Sequence, residues 1–375
     1  MAYTNPRTWA DETVVNSDDL NTEIRDNVSA LYSMANAPYR NLLYNGAMQV
    51  AQRSSSIASI TGGGYYTADR WYTNIGSAGT WTQSVVAEAP TASGFQKSLK
   101  MLCTTASASL AAGANLDVYQ ALEGQDLIRV MKGSENAKTL TLSFWVRSNV
   151  TGTYVAWLAD MNNTRSVGAT YTVSASGVWE LKTITFPADA TGALNNDNGA
   201  SLRVRFHLVA GSTYTSGTLN TTWASTVNAN TAPGQTNLAA AINNYWQVTG
   251  VQLETGPIAT PFEFLPFGDE LARCQRYYQR YIDPPMRGWA GSDTRPNNMA
   301  LLLPVAMRSS PTVSTSGTLN ITDGGNTGNV TSIFAQSNTV YSASVTFNLS
   351  AGLTVNRPAA MYPFGNGVVE ISAEL

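Results

Sequence analysis

The sequence predicts a mainly β protein: an N-terminal helix, a β-sandwich of jelly-roll type, and a small C-terminal β-domain led by a helix. Leu140, Leu142, Phe144 and Val146 alternate with Thr141, Ser143, Trp145 and Arg147, and Leu202, Val204, Phe206 and Leu208 alternate with Arg203, Arg205 and His207. That is the period of strands with one buried face. Turn-rich stretches (TGGG, MNNTR, LNNDNG) recur between the apolar runs. Charged residues make up only 13% of the 375, about half the usual share, so Thr, Ser, Asn and Gly supply the polarity.

Residues 1–40 form the first segment. Asn16-Ser17-Asp18-Asp19 has the form of a helix start, a capping side chain followed by acids that complement the dipole. Leu20, Ile24, Asn27, Leu31 and Met34 then follow at spacings of 4, 3, 4 and 3, a short coiled-coil seam with one polar residue in its middle. A helix this short is marginal alone, so it either meets partner copies or lies on its own domain. Asn36-Ala37-Pro38 ends it.

Residues 41–268 read as the jelly roll. Besides the two alternating runs, strands are expected over Trp71–Ile75, Gly79–Val86, Lys97–Thr104, Ala114–Gln120, Tyr154–Ala159, Trp179–Phe186 and Tyr245–Leu253. About nine such strands suit a two-sheet sandwich. Trp71 is expected to face inward, with Asp69 and Arg70 pairing locally. Residues 269–375 form a third unit. Asp269 and Glu270 open a helix in which Leu271, Cys274, Tyr278 and Tyr281 share a face at spacings of 3, 4 and 3, until Asp283-Pro284-Pro285 stops it. Strands are expected over Met299–Leu303, Thr312–Ser316, Leu319–Thr322, Val330–Phe334, Thr339–Leu349 and Gly367–Ala373. The tyrosine face serves equally as an intrachain strut or as a three-fold core.

Composition excludes several function classes. A formal net charge of −3 without a basic tract argues against nucleic acid. No run approaches the ~20 apolar residues of a membrane span, and MAYTNPRTWADE lacks the pattern of a secretory leader, so synthesis and assembly in a cytoplasm are expected. Cys103 and Cys274 lie far apart, and with a single histidine there is no zinc ligand set; they read as two unpaired buried thiols. Asn195–Asn198 and Asp323–Asn326 are acidic loops without the ligand spacing of a calcium loop. No metal or cofactor is expected.

Several stretches together resemble bacteriophage tail-fibre and receptor-binding proteins. TWADETVVNSDDLNTEIRDNVSALY (8–32) is similar to the N-terminal attachment helix of many phage tail proteins. NLLYNGAMQVAQR (41–53) with YYTADRWYT (65–73) resembles the opening of a domain common in tail fibres. YWQVTGVQLETGPIATPFEFLPFGDELARCQRYYQRY (245–281) resembles its close, and LPVAMRSSPTVS (303–314) the segment that follows. The resemblance covers about 100 residues over the length of the chain and rests on their order. It implies a homotrimeric virion protein with a carbohydrate-binding-module-like jelly roll and an outward C-terminal β-domain. Its implied partners are its own copies, other virion proteins through residues 1–40, and a host-surface glycan; its place is the virion tail or the head surface.

Catalysis has little to draw on. His207 stands on a strand beside Arg203 and Arg205 and reads as part of a solvated face, and no nucleophile elbow, phosphate loop or zinc-protease pattern occurs. Asp126, Asp160, Glu180 and Asp197 could supply a glycosidase pair, but no repeat of the kind that builds fibre-borne depolymerases is present, and no enzyme activity is expected. Binding is better supplied, because sugars stack on aromatic rings while amides and arginines take the hydroxyls. Trp145, with Arg147 two residues on, points away from its strand's apolar face, towards another layer or as an open platform. Trp289 is expected in a loop, RGWAGSDTRPNN, beside Asp293, Arg295 and Asn297; Tyr341, Tyr362 and Phe364 lie further on. The expected function is adhesion to host glycans; a head fibre or capsid-decorating protein, and a glycan depolymerase, are the alternatives.

Overall fold

Leu140, Leu142, Phe144 and Val146 meet Leu202, Val204, Phe206 and Leu208 across the interior of two antiparallel sheets, all of them buried. Phe144 and Phe206 touch edge to face at 4.9 Å, and Trp246 lies 5.6 Å from Phe206. A computed structural model describes residues 16–28, 38–362 and 366–375 of the chain. One sheet runs Ser56–Ile60, Thr80–Val86, Ser98–Thr105, Tyr245–Thr255, Leu140–Ser148, Glu180–Phe186. The other runs Ala224–Ser225, Arg165–Val173, Gly152–Asp160, Ala200–Ala210, Asn115–Glu123, Tyr72–Gly76, Gly64–Tyr65. Tyr245–Thr255 enters the middle of its sheet between strands from much earlier in the chain. The sandwich therefore closes only when that late segment arrives.

Arg165–Val173 is a strand the sequence reading omits. Val167, Ala169, Tyr171 and Val173 alternate on its inner face, but Ala169 is small and Gly168 stands beside it, so the apolar signal is weak there. The first helix starts where expected, with the Asp19 amide donating to Asn16 Oδ1 at 2.9 Å. After one turn, Ser17–Leu20, it widens into a π-helical segment, Asn21–Asp26, which shifts the register of its apolar face. Leu20 and Ile24 are 47% and 57% exposed, whereas Asn27 is buried. Leu31 and Met34 lie outside the described residues. Among those residues no helix is long and apolar enough to cross a membrane.

The C-terminal unit departs from expectation at the tyrosines. Its helix, Phe267–Gln275, stops well short of Tyr278, and Tyr278–Ile282 is a strand paired with Val368–Ser372. YQRYI has the aromatic and β-branched content of a strand, and a free sheet edge overrides the helical spacing. Thr312–Ser316 completes this three-stranded sheet. Cys274 and Tyr278 are buried inside the protomer, so they do not form a three-fold core; the intrachain alternative holds for them. Leu271 and Tyr281 are half-buried. Six strands then close a barrel in the order Arg287–Ser292, Arg295–Leu302, Ser342–Leu349, Thr327–Gln336, Asn320–Thr322, Pro358–Tyr362, filled by Met299, Ile321, Val345, Phe347 and Met361. Trp289 is thus on a hairpin strand and not in a loop.

The two units are joined by a buried ionic and aromatic network. Arg70 does not pair with Asp69: its guanidinium is fully buried, lies 3.5 Å from the Tyr277 ring centroid, donates to the Ala121 carbonyl at 2.7 Å and forms an ion pair with Glu374. Asp69 instead accepts from Gln52. Arg53 reaches Glu374 at 3.1 Å and covers Tyr278, while Arg276 grips Glu123 through two hydrogen bonds of 3.0 and 2.8 Å. Phe262, edge-on, and Phe264, tilted, pack on Phe95 at 5.0 and 5.1 Å, holding the proline-broken linker against the sandwich.

Candidate functional site

The hairpin carrying Trp289 pairs it directly with Asn297. Ala290 faces the barrel core, so its neighbour Trp289 must face out, and its indole is 56% exposed. Gly291 leaves room for the Asn297 amide to lie across the strand; a Cβ there would sit 2.0 Å from Asn297 Nδ2. Asn356, in a left-handed turn at φ 66° and donating its N–H to the Ala290 carbonyl at 2.8 Å, forms the other wall. Trp289, Gly291, Asn297 and Asn356 line a groove of about 450 Å³ with no charged residue in its wall. Two expected companions lie elsewhere. Asp293 is in the hairpin turn, and Arg295 lies 4.1 Å from the Phe334 ring and donates to Asn348. Tyr341 is exposed, the Tyr362 side chain is not among those described, and Phe364 lies outside the described residues.

Trp145 and Arg147 do project from the outer face of the six-stranded sheet, opposite Thr249 and Gln247. Trp145 is half-buried. Arg147 is already engaged, by Glu88 at 3.0 Å and the Gly177 carbonyl at 2.8 Å, and Lys100 also approaches Glu88 at 3.6 Å. Both cations of this face thus already share the Glu88 carboxylate.

A third arrangement combines residues far apart in the sequence. On the outer face of the seven-stranded sheet, Tyr65, Tyr72, Tyr119, Arg205, Trp157 and Gly168 stand in direct register across six strands. Tyr72 stacks on Tyr119 at 4.9 Å, and the Arg205 guanidinium lies 5.4 Å from Tyr119 and 5.0 Å from Trp157. Leu219 fills the space left by Gly168 at one end, and at the other the Tyr65 hydroxyl donates to the Leu375 carbonyl. His207 belongs to this face but is not solvated. It is 3% exposed, edge-on to Trp157, and neither ring nitrogen has a hydrogen-bond partner. Burial, helped by Arg205, holds it well below the usual histidine range, so it is neutral. The outward parity of Arg203, Arg205 and His207 is legible in SLRVRFHLV; their alignment with Tyr119 and Trp157 needs the strand order.

Each candidate glycosidase acid has a partner of its own. Asp126 accepts from Tyr44, Asp160 pairs with Lys132, Glu180 with Lys182, and Asp197 accepts from the Gly199 amide. Among the described residues no cluster of three His, Cys, Asp or Glu is placed to hold a metal. Asp323 is occupied by the amides of Gly325, Asn326 and Thr354.

No family model and no curated protein matches the chain. Among solved structures it is similar to the enzymatically active domain of bacteriophage CBA120 tailspike protein 4 (TM-score 0.32, 12% identity, 58% of this chain), and the match spans only 22% of the tailspike chain. It is also similar to a putative sugar-binding protein from Bacteroides thetaiotaomicron VPI-5482 (0.31, 12%, 57% and 99% of the two chains). A third is TmCBM61 in complex with β-1,4-galactotriose (0.28, 11%, 58% and 99%). Likeness this loose carries no weight beside the strand pairing and side chains described above.

Proposed function

We propose that the chain is a virion fibre protein that adheres to host-surface glycan through the Trp289 groove and performs no catalysis. The observation that carries this is an open indole flanked by the amides of Asn297 and Asn356 in a groove without charge. Ring stacking takes the apolar face of a sugar and amides both donate to and accept from its hydroxyls. Stacking of this kind is worth about 1 kcal/mol and each neutral hydrogen bond about as much, so one groove binds weakly. Assembly as a trimer compensates, because linked weak sites gain avidity without a new contact. Self-association is supported by Leu20 and Ile24, apolar side chains left open on the first helix. In this reading residues 1–40 also join the protein to the tail.

The test is binding of the full-length protein to host cells and to their extracted surface polysaccharide. Trp289→Ala should weaken binding by about tenfold or more, given avidity, with an unchanged melting temperature. Equal binding by wild type and Trp289→Ala would remove the groove from the proposal, and release of oligosaccharides would establish an enzyme instead.

A further inference from the structure

We infer that the outer face of the seven-stranded sheet is a second binding surface, one that takes the carboxylate of an acidic polysaccharide on Arg203. Arg203 and Arg205 project from one strand two residues apart, hence about 7 Å from each other along it. Their surroundings differ. Arg205 has a counter-charge, Asp117, with Nε 3.3 Å from Oδ1, a charge contact without hydrogen-bond geometry. Arg203 has no carboxylate within ion-pair distance among the described residues, and its buried Nε has no hydrogen-bond partner. Its cross-strand neighbours are the small Ala121 and Ala159. Tyr119, 4.7 Å away, lies under it.

These facts select a ligand class. Two guanidiniums and one carboxylate leave the face with one uncompensated positive charge, on a chain whose total is −3. A guanidinium held over a ring is pre-ordered for a carboxylate, whose two oxygens match its fork. A lone small anion would use only Arg203. Tyr119 and Trp157 are buried beneath their neighbours, so the open part of the row runs from Tyr65 and Tyr72 to Arg205 across four strands, about 14 Å at ordinary strand spacing, which suits a short stretch of sugars with the acid group at one point. This surface lies on the sandwich and the Trp289 groove on the barrel, so the two stand or fall separately.

The experiment uses the full-length protein, polygalacturonate, and the same polymer fully methyl-esterified, with affinity electrophoresis or calorimetry as readout. The acid form should bind and the ester should not, and added salt should weaken binding. Arg203→Gln should weaken it by about tenfold, the worth of one charge-assisted fork, with an unchanged melting temperature. Arg203→Lys, which keeps the charge and loses the fork, should fall between, and Trp289→Ala should bind as wild type. No binding of polygalacturonate, equal binding of the ester, or no effect of Arg203→Gln would each overturn the inference. If Arg203→Gln misfolds, Arg203→Lys decides: affinity equal to wild type overturns the fork, and a reduced one supports it.

Discussion

Glutamates are mostly exposed side chains whose substitution costs little, yet the structure makes Glu374 the counter-ion of the most deeply buried cation among the described residues. Arg70 is 0% exposed and Glu374 7%. Burial disfavours the Arg70 charge, but Glu374 outweighs that and holds the guanidinium above the ordinary arginine range. Glu374→Ala would leave Arg70 with only the Ala121 carbonyl and the face of Tyr277. Breaking one side of a buried pair costs about 3–5 kcal/mol, whereas an exposed pair is worth at most about 1 kcal/mol. The Arg53 contact to the same carboxylate, partly exposed, adds to the loss. Urea unfolding followed by tryptophan fluorescence, with Glu374→Ala, Arg70→Met and the double variant, measures it. The double variant should be closer to wild type than the sum of the singles, because it leaves no buried charge behind. A Glu374→Ala loss below about 1 kcal/mol would refute the buried-counter-ion reasoning.

Ile24→Asp, at a side chain 57% exposed in the single chain, should leave the protomer folded and shift sedimentation from trimer to monomer; an unchanged trimer would sink the seam. Asp69 is raised by burial from 3.8 to about 6, so the folded state holds its proton more tightly than the unfolded state does. Its contribution is therefore full below about pH 4 and is lost as pH rises through about 6, by about 3 kcal/mol. The stability difference between wild type and Asp69→Asn should drift by that amount over this window and be flat above it. Cys103 and Cys274 are free and buried, and burial raises both thiols, so neither should react with a thiol reagent until the protein is denatured.

Local chemistry made much of this protein legible in its sequence. Alternation in TLTLSFWVRS and SLRVRFHLV marks two core strands because a buried face demands an apolar residue at every second position. Asn16 marks a helix start because the first amides need an acceptor. The pairing of Trp289 with Asn297 is half visible: RGWAGSDTRPNN puts them close in sequence, but without a strand on either side of the turn Asp293 and Arg295 are equally close.

What the sequence could not settle depends on partners distant in the chain. Tyr278 and Tyr281 fit a helix face by spacing and became strand residues because Val368–Ser372 offered an edge nearly ninety positions later. Arg70 looked like the local partner of Asp69 and is paired with Glu374, which only domain docking brings near. His207 looked solvated by its polar neighbours, yet burial depends on what lies beside a strand, and that is set by sheet order. The row Tyr65, Tyr72, Tyr119, Arg205, Trp157 exists only because five strands from separate stretches align in register. Sequence alone determined which residues face in or out, since that parity is local; tertiary structure decided which outward residues meet, since contact between strands is not.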